Sequence, residues 1–480
     1  MTEKRKRSLF FWVLVIFFLA TACILIPYAQ GYRFNMERGI FIYTGSISLK
    51  SSPQNVSITV DKNPVAKGRL NMINNSYHIG GLNPGEHLIE VSAPDFKPWS
   101  KKTSINSGLS SEFWNVELIR ENYPRTQYQT PQISNFFYDT QKGLIAYIEN
   151  SPEALRINIL DINNETVENV FNSEEWQFTS DPKENIEWSP SLFKIIIPAV
   201  KDGNKNYFIV DTDTKKTANL QELAGTPNLS KVRWDSSNRN YLYYLSEENL
   251  FRLNINDTTD KKMIAANISS YDLSGNKVYY FQLTDGLVYS LKPESDSEPL
   301  LITNSAPAMA DSSYQLTVYD ERRIVLLNQS GTLFIVNDGE KERYARELAS
   351  SVKGIQFSDD GKKLLYWSDW EITSYFMRAW EVQPFRNENE TKDITRFSEK
   401  IDNVQWSKDY EHVLFSAGGK IKIIEIDHRD QKNLTDIVDF TASKTKIASD
   451  FPNNKLYFTD LNEGIPQFFV IDFPETTTLF

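Results

Sequence analysis

Cysteine is all but missing from this chain of 480 residues: its single copy, Cys23, lies inside an apolar run, so the rest has no disulfide and must be held by its cores. Histidine is nearly as scarce. The four, His78, His87, His412 and His428, have no partners at metal-ligand spacing, and each reads as a packing or surface residue. No Gly-x-Ser-x-Gly elbow occurs, which argues against a serine hydrolase of the prolyl-peptidase kind; Ser416-Ala417-Gly418-Gly419 lacks the pattern. Asp211-Thr212-Asp213 lacks the Gly and distal Glu of a calcium loop and reads as a hairpin turn. Asp359-Asp360-Gly361 reads as a turn too, because other loops would have to complete a cation site. These absences leave no catalytic, cofactor-binding or metal residue assigned, and no cofactor expected.

Positive charge is also in deficit, with 52 Lys and Arg against 63 Asp and Glu. Setting aside Glu3 and the four cations of the N-terminal tail leaves 48 basic and 62 acidic residues, a charge of −14. That excludes non-specific binding to nucleic acid or to an anionic membrane face, both of which need a basic surface. Nine Asn-x-Ser/Thr sequons, beginning with Asn55 and Asn74, are what an Asn-rich chain produces by chance.

What is present begins with Leu9 to Tyr28, twenty residues without a charge, preceded by Lys4-Arg5-Lys6-Arg7. At ~1.5 Å per residue such a helix spans the ~30 Å of bilayer hydrocarbon. The basic flank predicts a cytoplasmic N-terminus, with everything from Gln30 to Phe480 outside the cytoplasm. Two cleaved forms compete with a retained anchor. Ala20-Thr21-Ala22 fits a signal-peptidase site and Cys23 a lipid acceptor, but Ala20 replaces the usual aliphatic residue and Ile24-Leu25-Ile26 prolong the run past either cut. The retained, single-pass anchor is the expectation carried forward.

Residues 29–44 read as a juxtamembrane connector whose Arg33, Arg38 and tyrosines suit an interface. From Gly45 the pattern turns to period-two alternation, as in Val56-Ser57-Ile58-Thr59-Val60, broken by Asp61-Lys62-Asn63-Pro64 and Leu82-Asn83-Pro84-Gly85. This predicts a small β-sandwich over 45–120. Gly45-Ser46-Ile47, Ser52-Pro53, Ile58-Thr59-Val60-Asp61, Leu82-Asn83-Pro84-Gly85-Glu86-His87, Val91 and Phe96 together resemble a PEGA domain. Asn55-Val56 replaces the family's Gly-Ala, and the literal Pro-Glu-Gly-Ala string is absent. The resemblance implies a surface-associated interaction or spacer module of bacterial and archaeal envelope proteins, with no catalytic residues to carry over.

Residues 121–131 are polar with two prolines and read as a linker. Beyond it a motif recurs, an aromatic or apolar residue, then Ser or Asp, then a turn and an apolar run. It stands at Tyr138-Asp139, Trp188-Ser189, Trp234-Asp235, Leu273-Ser274, Tyr319-Asp320, Phe357-Ser358, Trp406-Ser407 and Ser449-Asp450, with spacings of 50, 46, 39, 46, 38, 49 and 43. Periods near 40–45 with several strand-like runs predict a seven- or eight-bladed β-propeller over 132–480. Ser358-Asp359-Asp360-Gly361 before Leu364-Leu365-Tyr366-Trp367, and Phe208-Ile209-Val210-Asp211, resemble the TolB-type, WD40-like repeats of bacterial envelope proteins. If Arg125 to Thr130 pairs with the last unit, the ring closes and both free sheet edges disappear.

The fold class expected is therefore mainly β: an N-terminal transmembrane helix, a PEGA-like sandwich and a propeller. The expected function is non-enzymatic: a membrane-anchored extracytoplasmic protein whose propeller binds envelope proteins or polysaccharide, with no nucleic-acid partner. The alternative is a carboxylate-dependent glycan hydrolase or lyase of the cell envelope, which needs two carboxylates ~5–10 Å apart. Glu174-Glu175, Glu247-Glu248 and Asp359-Asp360 fall in predicted turns and read as solvated acids. The cluster Tyr366-Trp367-Ser368-Asp369-Trp370, with Tyr375, Phe376 and Trp380, reads as blade packing, with a stacking platform as the sharper possibility.

Overall fold

The computed structural model describes residues 3–35, 39–65, 75–128, 130, 132–139, 143–149, 151, 154–181, 184–191, 193–294, 298–304, 314–340 and 342–474; Arg38 and Asn74 fall outside them. The apolar run forms one helix, Glu3–Ala29, long and apolar enough to cross a membrane or to serve as a signal sequence. Its side chains from Leu9 to Leu19 are mostly more than half exposed, because no other element packs on them. The connector is not featureless. Tyr32–Asn35 and Ile40–Tyr43 pair as an antiparallel hairpin directly after the helix.

The alternation from Gly45 forms two sheets over one core. Gly45–Ser52 pairs antiparallel with Tyr77–Leu82 and parallel with Ser110–Glu117. Facing it, Asn63–Pro64, Ser57–Val60, Gly85–Ser92 and Trp99–Ile105 make the second sheet. In Trp99–Ile105 every second residue is buried, and of these Trp99 and Ile105 join Ile47, Leu49, Val91 and Phe113 in the core.

Eight further antiparallel sheets follow in chain order. Their first strands are Ile133–Asp139, Glu187–Trp188 (after Gln177–Phe178, which pairs with the same neighbour), Ser230–Trp234, Ile268–Ser274, Tyr314–Asp320, Gly354–Phe357, Asp402–Trp406 and Ile447–Asp450; we number the sheets one to eight in this order. Eight apolar clusters each join one sheet to the next, and the eighth joins sheet eight, through Tyr457, Phe468 and Val470, back to Phe136 and Tyr147 of sheet one. Face-to-face stacking that returns to its start is a closed ring, the architecture of a β-propeller.

The doubly buried strand is the second of each sheet, joined in some by the third, as in Lys194–Lys201 and Asn204–Asp211, rather than the first, because the middle strands have a neighbouring sheet on both faces. At Ser189, Asp235, Asp320, Ser358 and Asp450 the recurring Ser or Asp caps the turn that follows the first strand. Asp235 accepts from the backbone N–H of Ser237 (2.9 Å) and Asn238 (3.1 Å), and Ser358 Oγ accepts from Lys363 N–H (3.0 Å). In that last turn Gly361 sits at φ +62°, where a Cβ would strike the Tyr319 ring.

The ring is closed by the segment read as linker. Thr126–Tyr128 pairs with Ile465–Asp472 as the outer strand of sheet eight, Thr126 opposite Val470 and Tyr128 opposite Phe468. Arg125 reinforces the closure with an ion pair to the buried carboxylate of Asp460 at 3.1 Å.

The two-sheet unit does not hang free of this ring. It is seated on sheet seven, where Trp99 Nε1 donates to Glu425 Oε2 (3.0 Å), Lys97 Nζ to the Asp436 carbonyl (2.6 Å) and Asn433 Nδ2 to the Ser100 carbonyl (3.1 Å). Gln383 donates to the Ser110 carbonyl (2.9 Å) and accepts from Glu112 N–H (3.1 Å), while the Arg429 guanidinium lies 4.0 Å from the Phe113 ring centroid.

Candidate functional site

First strands of neighbouring sheets are hydrogen-bonded to one another, so they are the strands that converge on the axis. Trp234 N–H donates to Glu187 Oε1 and its indole to the Glu187 carbonyl, both at 3.2 Å. Trp406 repeats the arrangement on Gln356, at 2.8 and 3.2 Å. Val318 N–H donates to Asp272 Oδ2 at 2.7 Å.

Where sheets two to five meet in this way the axis opens into a cavity of about 730 Å³, within the range that holds small ligands. Its wall includes Glu184, Glu187, Lys205, Ser230, Lys231, Arg233, Ser270, Tyr271 and Gln315. The charges are paired internally. Arg233 reaches Glu187 (Nε to Oε1, 3.4 Å) on one side and Asp272 (Nη1 to Oδ1, 3.3 Å) on the other, bridging three sheets. Lys205 contacts Glu184 at 3.0 Å, and Tyr207 Oη donates to the same carboxylate at 2.7 Å. Lys231 Nζ caps the Ser269 carbonyl at 2.8 Å.

Burial pushes the Glu187 and Asp272 carboxyls up, and their attraction to Arg233 only partly offsets it. For Arg233 burial works downward, but the two carboxylates outweigh it and hold the guanidinium above its ordinary value. The asymmetry is physical: the cation has two partners, while each carboxylate has half of one. The Arg233 side chain is 47% exposed to the cavity, so water there screens part of its charge. Ser270, only 2% exposed, borders this space with its Oγ buried and without a hydrogen-bond partner. Neither His nor Cys is among the wall residues. The site presents hydroxyl and amide groups around an internally paired charge cluster.

A second cavity, about 500 Å³, lies between sheets one and two beside Glu149, Glu174 and Glu175. There Lys201 already pairs with Glu175 (2.6 Å) and Arg156 with Glu149 (3.0 Å).

The residues singled out in the sequence fall elsewhere. Glu174-Glu175, Glu247-Glu248 and Asp359-Asp360 occupy bends and turns. Asp211 caps its own turn through Thr214 N–H at 2.8 Å. His87 bonds Asp61 (2.6 Å), His412 bonds Asp409 (2.7 Å), and His428 and Arg386 contact each other. In the aromatic cluster Tyr366, Tyr375 and Phe376 are buried, and the exposed member is Trp370, at 48%. The axial residues were missed although their signal was present. Glu187, Arg233, Asp272 and Gln356 each stand immediately before the recurring aromatic or apolar residue of their unit, where a strand residue points to the face opposite the motif's own.

No family model matches the chain, and no curated protein sequence does. Solved structures similar to it include the Dos1 propeller (11% identity, TM-score 0.49, covering 73% of this chain and 95% of that one). The Cps50 (Swd1) β-propeller domain of Myceliophteria thermophila is similar at 13% identity and TM-score 0.41, covering 72% and 98%. An oligogalacturonate lyase in complex with manganese is similar at 11% identity and TM-score 0.37, covering 74% and 99%.

Proposed function

We propose that this chain is a single-pass, membrane-anchored, non-enzymatic binding protein of the cell envelope. In this reading residues 1–8 are a cytoplasmic tail and 9–28 a retained span. A PEGA-like sandwich over 45–120 positions an eight-bladed, TolB-like propeller outside the cytoplasm. The propeller engages an envelope protein or polysaccharide at its axial opening. The observation that carries it is the axial cavity, ligand-sized and walled by four first strands, whose carboxylates are tied to Arg233 and to backbone N–H groups rather than left to act on a substrate.

The test is a photocrosslinking residue at Gln315, on the cavity wall, in the full chain within its native envelope. A specific protein or glycan adduct that disappears when the crosslinker is moved to exposed Val382 supports the reading. Equal, non-specific labelling from both positions overturns it.

The alternative, a glycan hydrolase or lyase, is favoured by one observation: Glu187, a carboxyl with raised pKa, lines the cavity, and Asp272, raised likewise, is joined to it through Arg233. Glycan cleavage by the full chain that is abolished in Glu187→Gln or Asp272→Asn would replace the binding reading with this one.

A further inference from the structure

The hairpin after the helix has an unusual surface. Its register sets Tyr32 opposite Tyr43 and Phe34 opposite Phe41. Residues paired across an antiparallel ladder, and those two apart along a strand, share one face, so all four rings lie together. Tyr32 and Tyr43 stack at 4.9 Å between centroids, and Phe34 meets Phe41 edge-on at 5.3 Å. Despite this pairing Phe34 and Phe41 remain 53% and 54% exposed, as does Ile40 at the strand's start, 54%. Elsewhere beyond the helix, exposed large apolar residues among those described stand singly or at most in pairs, as at Leu300 and Leu301, against five on this hairpin. A water-facing two-stranded hairpin is marginal by itself, and a concentrated aromatic face on it marks an interaction surface.

The opposite face carries Arg33 with Ile40 and Ile42, and its arginine reaches the helix end. Arg33 Nη1 donates to the Tyr28 carbonyl (2.7 Å), and its guanidinium lies 3.6 Å from the Tyr28 ring centroid. The base of the hairpin is tied to the end of the helix and to the two-sheet unit: Thr44 N–H donates to the Gly31 carbonyl (3.1 Å), and Gly108 N–H to the Thr44 carbonyl (3.0 Å). At Gly108 a Cβ would come within 2.3 Å of the Tyr43 ring, so the approach there is close. The aromatic face is thus held beside the last turn of the apolar helix, two residues from its end.

We infer that the aromatic face Tyr32, Phe34, Phe41, Tyr43 is a lipid-docking surface that lies in the headgroup and upper acyl region of the leaflet the helix exits. This rests on the helix being a retained span. The chemistry fits: Tyr and Phe beside an Arg snorkelling along a helix end are the residue types that settle at a membrane–water boundary. A single helix leaves the exported part free to swivel and tilt. The docked hairpin supplies a second point of attachment, and the two-sheet unit tied to its base and seated on sheet seven passes that orientation to the propeller.

The experiment uses the full chain with Cys23→Ser in phosphatidylcholine vesicles, carrying an environment-sensitive fluorophore at one introduced cysteine: Phe41→Cys, Phe34→Cys, Phe17→Cys in the helix, or Val167→Cys on the outer strand of sheet one. Melting transitions matching the parent chain establish that each is folded. The labels at 41 and 34 are expected to be shielded from aqueous iodide and to lose roughly half or more of their emission to nitroxide-bearing lipid, as for side chains buried ~5–10 Å at the interface. The label at 167 should show the reverse. If the label at 17 is quenched by lipid while 41 and 34 stay open to iodide, the docking surface is overturned and the anchor stands. If 17 is not quenched either, both fall. Shielding of 41 and 34 from iodide without lipid quenching means that protein, such as a second copy, covers the face, and also overturns the inference.

Discussion

Lys101 of the two-sheet unit and Glu425 of sheet seven form an ion pair with no part of the lysine side chain exposed and 5% of the glutamate's. Glu425 also accepts from Trp99 Nε1 (3.0 Å) and from Asn433 N–H (2.7 Å), and Lys101 donates to the Asp427 carbonyl (3.0 Å). A buried pair so fully bonded does little for net stability but is costly to break from one side, about 3–5 kcal/mol, because a lone charge remains. Lys101→Met should therefore unseat the unit. Calorimetry of the parent chain is expected to show the unit and the propeller melting together, and that of Lys101→Met a separate transition at lower temperature. An unchanged single transition would show that the contact is not what joins the two.

His412, 5% exposed, sits under the same seam and should make the joint sensitive to alkali. Burial alone would lower its pKa, but the Asp409 carboxylate outweighs this and pushes it up to about 9. The sign follows from linkage: the stabilisation is complete below the unfolded value of ~6.5 and is lost as pH rises through about 9, a loss of at most about 3 kcal/mol. Melting temperature followed against pH should fall across that window, and His412→Gln should flatten the profile.

Lys446 should act in the opposite sense. Its ammonium lies 3.9 Å from the Phe137 ring centroid, and burial lowers its pKa to about 8. Since the unfolded value is near ~10.4, the charged form costs stability at neutral pH, and that cost fades between about pH 8 and the unfolded value. Lys446→Met is expected to raise the melting temperature at pH 7 and to give a shrinking gain above pH 8.

At the axis, Arg233→Met would leave Glu187 and Asp272 facing each other without their shared cation. Because the guanidinium is 47% exposed and partly screened by water, a loss of only about 1 kcal/mol at pH 7 is expected from denaturant unfolding. Because burial already raises both carboxyls, lowering the pH to 5 should restore part of it by protonation. A loss that does not shrink on acidification would mean that the guanidinium serves packing rather than charge.

The repeat was legible because each unit restates one local instruction. Trp234-Asp235 and Phe357-Ser358 end a strand, cap a turn and start an apolar run, and each link depends on residues a few positions apart. The axial cluster was not, although Arg233 stands beside Trp234, because its partners Glu187 and Asp272 lie 46 and 39 residues away in other sheets. Aromatic placement divides the same way. Abundance in strands announced a core, but only packing could set Trp370 outside and Tyr375 within.

By itself the sequence determined the apolar N-terminal helix, the alternating strands and the hairpin turns, since uncharged length, period-two patterning and Asp-Gly or capped turns act over a few residues. The sequence raised the pairing of Arg125 to Thr130 with the last unit, which the structure realises at Thr126–Tyr128; tertiary structure alone decided that Lys101 meets Glu425 across 324 residues and that four first strands enclose a cavity. Those are meetings between surfaces, fixed by which faces stack once the ring closes, and local patterning along a single chain does not carry them.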